Sequence, residues 1–151
     1  MRFGTTVRQL SGLVNQDVHG FDSFQGLPEP WHDNPKGIYT TNGLVPKVPE
    51  NVYLHVGLFD KSLPLFLDDH TDSIRFMNVD CDMYSSTKVI FDLLGDRIVS
   101  GTVIAFDEYF ANKNWRNDEF KAFQEAVEKY GWRYDYLAVS LFSKQAIVLI
   151  H

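Results

Sequence analysis

Apolar runs alternate along the chain with polar stretches of helical periodicity, a pattern that favours strands separated by helices and therefore an α/β sheet over a sandwich or a bundle. Strands read out at 17–22, 52–59, 74–80 and 102–106. Two more, at 134–139 and 145–150, are separated by a short polar stretch with Ser143 and Lys144, which predicts a closing antiparallel hairpin. The run 102–106 is almost wholly apolar, as a strand buried on both faces of a parallel sheet requires. Helices are expected between the strands. The first runs from a cap at Thr5 or Thr6 to about Leu13, and a second starts at Ser62 with Pro64 in its first turn. A third is capped by Ser85 or Ser86 and carries the stripe Val89, Ile90, Leu93 and Leu94. Asn117 is expected to cap a fourth through Tyr130, with Phe120, Phe123, Val127 and Tyr130 on one face and Gly131 at the C-terminal end.

Residues 25–51 interrupt this alternation. They hold every proline except Pro64, together with Gly26, Gly37 and Gly43, and show no period, so a long loop is predicted. Such a loop inside a compact domain serves as a lid or binding loop, or is a plain surface excursion, and the residues alone favour neither.

Composition narrows the class without changing the fold. At 151 residues, 44% of them hydrophobic, the chain is long enough for one domain with its own core over 1–151. A formal net charge of −6 makes a nucleic-acid backbone a poor partner, and no apolar run is long enough to span a membrane. The one cysteine, Cys81, forms no internal disulfide, and the N-terminal residues lack the apolar stretch of a signal peptide, so a cytoplasmic protein is expected. Self-association is left open by the composition.

Two predicted strands end in carboxylates, Asp80 with Asp82 on one and Asp107 with Glu108 on the other. Ligands of parallel α/β sheets bind outside the carboxyl ends of the strands, so adjacent strands would bring Asp80, Asp107 and Glu108 to one edge as hard oxygen ligands for magnesium or another divalent metal. The plainer alternative is that these acids cap the following helices or stay solvated. Paired acids at two successive strand ends exceed what capping requires, which tips the reading towards a metal site. Asp22 closes the earlier strand and is followed by Ser23 and Phe24; it suits the two hydroxyls of a ribose, and equally a turn or a cap.

The string from Val18 through Asp22-Ser23-Phe24 to Trp31 resembles the region after the second strand of macrocin-type O-methyltransferases, within the class I S-adenosylmethionine-dependent methyltransferases. The resemblance continues through Gly57 to Pro64, Asp80 to Thr87 and Gly101 to Tyr109. It implies a Rossmann-like sheet, mostly parallel with a C-terminal antiparallel hairpin, and methyl transfer to a hydroxyl of a sugar or natural-product-like small molecule. Carried over residue by residue, Asp80 becomes a metal ligand and the catalytic base, Asp107 and Glu108 complete the Mg2+ ligands, and Asp22, Ser23 and Phe24 hold S-adenosylmethionine. Gly4 lies in what resembles the back half of the family's glycine-rich first motif, so the domain is expected to be partial, lacking the usual first strand.

The sequence departs from the family pattern in two further places: Asp107-Glu108 replaces a pair of aspartates, and Ser100-Gly101 replaces a pair of glycines. Rival readings are fewer and weaker. An Asp-x-Asp after an apolar strand also marks haloacid-dehalogenase-type phosphatases and metal-dependent glycosyltransferases, but the first needs more chain after Asp80 and the second more before it. The rival of a different class is a non-catalytic methyltransferase remnant or binding module, in which loss of the first strand has removed methyl transfer.

Overall fold

The computed structural model describes residues 3–151, in two compact units that divide between Asp69 and His70. The first unit contains α1 (Thr5–Ser11), β1 (Val18–Asp22), β2 (Val52–Val56) and α2 (Phe59–Asp69). Strands β1 and β2 pair in parallel from Val18↔Val52 to Asp22↔Val56, so Asp22 sits at the carboxyl end of the pair. Phe66 of α2 closes over this pair, with ring centroids 4.8, 5.2 and 5.3 Å from His19, Phe21 and His55.

Between β1 and β2 the predicted loop is present, and backbone hydrogen bonds give it a fixed course. Leu27 N donates to Ile38 O at 3.0 Å, Gly37 N returns a bond to Leu27 O at 2.9 Å, and Trp31 and Asn34 exchange both backbone bonds at 3.0 and 2.8 Å. Gly26 makes the first of these approaches feasible. Its φ is +77°, and a Cβ there would lie 2.3 Å from the Ile38 carbonyl oxygen and 2.4 Å from that of Gly37.

The second unit holds β3 (Ile74–Val79), α3 (Tyr84–Leu94), β4 (Ile98–Phe106), α4 (Glu119–Tyr130), β5 (Tyr134–Ser140) and β6 (Gln145–Ile150). Its sheet runs in the order β3-β4-β6-β5. The β3/β4 pair is parallel, while β6 lies antiparallel to both β4 and β5, so the C-terminal hairpin folds back with its second strand innermost. The sheet of this unit is therefore mixed, and the parallel pairs of the chain are β1/β2 and β3/β4. Val79, Ile104, Phe106, Phe91, Phe123, Val148 and Ile150 form its core, each with at most 1% exposure. Helices α3 and α4 meet where Tyr130 Oη donates to Phe91 O at 3.1 Å; the ring occupies the space a Cβ on Gly95 would need.

Four helix starts differ from the capping pattern in the sequence. Gly4, not Thr5 or Thr6, is the N-cap of α1, with φ +75° and no side-chain cap bond. Helix α2 begins at Phe59, a turn before Ser62, because the Ser62 hydroxyl donates to Leu58 O at 3.1 Å instead of capping; Pro64 thus falls inside the helix, and β2 stops at Val56 rather than reaching residue 59. Met83 precedes α3, and Ser85 and Ser86 lie in its first turn. Residues 115–117 form a 3-10 turn, which moves the start of α4 to Glu119. Strand β4 also begins earlier than read, at Ile98. Its extra residues form a bulge against β3 at Gly101 (φ +93°), bridged by the Thr102 hydroxyl, which donates to Ile74 O at 2.6 Å and accepts from Val99 N at 3.0 Å. Among the described residues, no helix is long and apolar enough to cross a membrane.

Gly26→Ala and Gly37→Ala separate backbone clash from backbone strain. Both residues have positive φ, but the Cβ of Gly37 would meet nothing nearer than 3.9 Å. Gly37→Ala should cost on the order of 1 kcal/mol in urea unfolding and Gly26→Ala clearly more, with loss of amide protection at Leu27. Equal costs would show that the Gly26–Ile38 approach does not constrain the loop.

Candidate active site

Parallel pairing fixes the acid edge of the second unit. Val79 is in register with Phe106, and Asp107 N donates to Val79 O at 3.0 Å, so the ladder carries one residue past both strands and sets Asp80 beside Asp107. Asp80 is exposed, whereas Asp82, Asp107 and Glu108 are partly buried. Side-chain amides hold two of these acids: Gln145 Nε2 donates to Asp107 Oδ1, and Asn112 Nδ2 donates to Glu108 Oε2 while Lys144 Nζ donates to Asn112 Oδ1. Tyr109, immediately after the pair, is buried and hydrogen-bonded to Tyr136 at 3.2 Å, anchoring the chain as it leaves the strand.

The acids repel one another. Burial, and then the negative charges of Asp80, Glu108 and Asp107, push the Asp82 carboxyl up to about 7. Asp82 also has a positive φ of 65°, and Met83 N bonds back to Cys81 O at 2.6 Å, the pattern of the classic γ-turn, which is rare because it is strained. Behind this turn sits Glu119, fully buried at the first position of α4. One of its oxygens, Oε1, accepts from both Cys81 N (3.2 Å) and Asp82 N (3.1 Å), while Oε2 is buried without a hydrogen-bond partner among the described residues. Burial raises the Glu119 carboxyl to about 8, with Asp82 and Asp80 adding to the rise against the lowering effect of the two amides. Cys81 packs inward, its thiol pushed well up by burial and by Glu119, and contacts the Thr87 hydroxyl at 3.2 Å; it is a packing residue and no nucleophile.

Among the described residues, no three histidines, cysteines or acids converge closely enough to hold an ion. The donor chemistry at the strand ends nevertheless suits a hard divalent cation. Asp80, Asp107 and Glu108 offer carboxylate oxygens, and their negative charges, which add to the effect of burial in raising Asp82, are what such a cation would offset.

The remaining sequence-derived site residues lie in the first unit. Asp22 Oδ1 accepts from Phe24 N at 2.8 Å and Ser23 Oγ from Gln25 N at 3.2 Å, so both side chains build the turn after β1. Phe24 is buried, at 2% exposure and φ 57°, and its carbonyl gathers Thr41 N and Gly43 N at 3.3 and 3.0 Å. Gly4 accepts from Arg8 N at 3.1 Å at the start of α1 and packs against Pro46.

Sequence reading placed the acids at the strand ends but missed the strained turn at Asp82 and overlooked Glu119. The signal for Glu119 was present: Glu119, Ala122, Phe123 and Ala126 follow the i, i+3, i+4, i+7 spacing of a buried helical stripe.

Parallel strands ending in acids, flanked by helices and closed by an antiparallel hairpin, define an α/β fold of the Rossmann-like methyltransferase type. The macrocin-O-methyltransferase (TylF) family matches residues 46–139, and the chain belongs to that family. The fold is similar to that of CalS11, a calicheamicin methyltransferase, at TM-score 0.74 and 20% identity over 98% of this chain and 68% of that one. The apo structure of CalS11, described as a TDP-rhamnose 3'-O-methyltransferase, gives TM-score 0.63 at 20% identity over 95% of this chain and 65% of that one. The O-methyltransferase NovP gives 0.64 at 18% identity over 95% and 63%. The chain thus spans about two thirds of the length of these relatives. No curated protein sequence matches it significantly.

A pH dependence follows from the two raised carboxyls. Their folded values, about 7 for Asp82 and about 8 for Glu119, lie above the ordinary 3.8 and 4.5, so the folded state binds protons that the unfolded state releases. Their stabilising contribution is complete below about pH 4 and is lost as pH rises through 7 to 8. Thermal unfolding should therefore show a fall in melting temperature across this window, shallower in Glu119→Gln. A melting temperature that rises steadily from pH 5 to 9 would contradict the assignment.

Proposed function

We propose that this chain carries the acid site of an S-adenosylmethionine-dependent, divalent-metal-assisted O-methyltransferase that acts on a hydroxyl of a sugar or natural-product-like small molecule. The observation that carries the reading is the register of β3 and β4, which sets Asp80 beside Asp107 at the carboxyl end of a parallel pair in a chain of the macrocin-O-methyltransferase family. S-adenosylmethionine supplies an electrophilic sulfonium methyl group, and Mg2+ bound by Asp80, Asp107 and Glu108 would lower the pKa of the acceptor hydroxyl.

The chain's own residues do the rest. Asp80, exposed at its strand end, takes the acceptor's proton as the hydroxyl oxygen bonds to the methyl carbon and the carbon–sulfur bond breaks towards the departing thioether. Gln145 and Asn112 hold Asp107 and Glu108 by one oxygen each and so restrict their rotation. In the first unit, Asp22 is partly exposed at the carboxyl end of β1, where a carboxylate can accept from both hydroxyls of a ribose. Ser23, Phe24 and Gly4 complete the proposed cofactor-binding set through the turn and backbone they shape. The CalS11 description names a nucleotide-linked deoxysugar as methyl acceptor, which supports a sugar hydroxyl here.

The two roles separate by mutation. Asp80→Asn should lower methyl transfer on the order of a hundredfold or more with S-adenosylhomocysteine binding retained, because an amide is no base and a poorer ligand for a hard cation. Asp22→Ala should first weaken S-adenosylhomocysteine binding in isothermal titration. Mg2+ should raise the melting temperature at pH 8 in the parent chain and not in Asp107→Asn. Full activity in Asp80→Asn, or activity that survives chelation of divalent metal, would refute the metal-assisted mechanism. Failure of the parent chain to bind S-adenosylhomocysteine would favour a non-catalytic remnant.

A further inference from the structure

We propose that Glu119 is the positioning residue of the acid site: from the buried start of α4, its carboxylate oxygen holds the backbone of the Asp80-Cys81-Asp82 turn in the strained form that sets Asp80 at the strand end.

Helix α4 turns a stripe of Glu119, Ala122, Phe123 and Ala126 into the core, and the other three side chains are apolar or small. A carboxylate in this company loses its water, and an apolar side chain of similar size would pack there at lower cost unless the oxygens are needed. They are used: Oε1 takes the two successive backbone N–H groups that follow Asp80. Those groups are donors that the β3 ladder no longer serves, because β3 ends at Val79 and α3 starts only at Tyr84. Without Glu119 both part-buried donors would need another partner.

The turn also needs a restraint. A non-glycine residue at φ 65° with an i→i+2 backbone bond persists only where its surroundings over-determine it. Two contacts supply that restraint, one at each end of the turn. Thr87, fully buried in α3, donates its hydroxyl to Met83 O at 2.9 Å and fixes the exit of the turn. Glu119 fixes its entry from 37 and 38 residues away, so the geometry of Asp80 depends on how α4 packs. The requirement is for a well-placed acceptor oxygen, and the negative charge is dispensable.

This role rests on the methyltransferase reading only for its catalytic consequence, since the turn can be observed directly. The test compares Glu119→Gln, which keeps a carbonyl acceptor, with Glu119→Leu, which keeps volume and removes it. Glu119→Asp keeps the carboxyl group but, one methylene shorter, withdraws the acceptor, and serves as the second variant where Glu119→Leu does not fold. Amide exchange of Cys81 and Asp82, read by NMR on the full chain, should accelerate at least about tenfold in Glu119→Leu and Glu119→Asp and stay within about threefold in Glu119→Gln. Methyl transfer should follow the same order: kcat falls on the order of a hundredfold where the acceptor is lost, KM for S-adenosylmethionine is unchanged, and Glu119→Gln restores kcat. Wild-type protection of both amides in Glu119→Leu or Glu119→Asp overturns the proposal, as does a kcat in Glu119→Gln as low as in Glu119→Asp. A chain without any methyl transfer refutes the functional reading, while the amide data still decide the role of Glu119.

Discussion

The pairing of Val79 with Phe106 is the constraint from which the acid site follows. Parallel strands in register end at the same level, and a single further bond, from Asp107 N to Val79 O, carries the alignment one residue beyond the sheet. The core beneath makes that register hard to change. Val79, Ile104 and Phe106 are buried with Phe91, Phe123 and Val148, and a slip of one residue would exchange these inward side chains for their outward neighbours. Holding two acids side by side is therefore a by-product of burying the hydrophobic residues that precede them.

Like charges held together carry a cost, and the structure distributes it. Asp80 stays exposed, Asp107 and Glu108 accept from neutral amides, and Asp82 and Glu119 have carboxyls raised into the neutral range. An edge rich in carboxylates costs stability, which under the proposed function is the relation between strain and function expected of a site. The chain's family is that of the macrocin-O-methyltransferases, and its fold is like that of CalS11 and NovP.

Among the described residues, turns are restrained by hydrogen bonds to backbone groups, made by side chains as well as by the backbone itself. Gly26 permits the close approach of Ile38, Phe24 O collects several donors of the 25–51 loop, and Ser62 and Thr87 turn their hydroxyls back onto carbonyls. A proline-rich loop of this length thereby acquires a defined course without a helix or strand of its own.

The order of elements, the closing hairpin and the acids at strand ends were all legible in the sequence, because hydrophobic period and chain order are local properties. Runs of Val, Ile and Phe stop where Asp80 and Asp107 begin, and the stretch around Ser143 and Lys144 separates two strands whichever way the rest folds. Helix starts were less legible. A serine or threonine can cap a helix or bond back to the preceding turn, and Ser62, which the sequence offers as a cap, takes the second course in the fold. Which strand lies innermost in the hairpin, the strained φ of Asp82 and the partner of its N–H were settled by tertiary structure alone. Glu119 shows the reason: a carboxylate on a helix prefers water, and it became a buried acceptor because the packing of Phe123 and its neighbours fixed the orientation of α4 and brought Oε1 to the amides of Cys81 and Asp82.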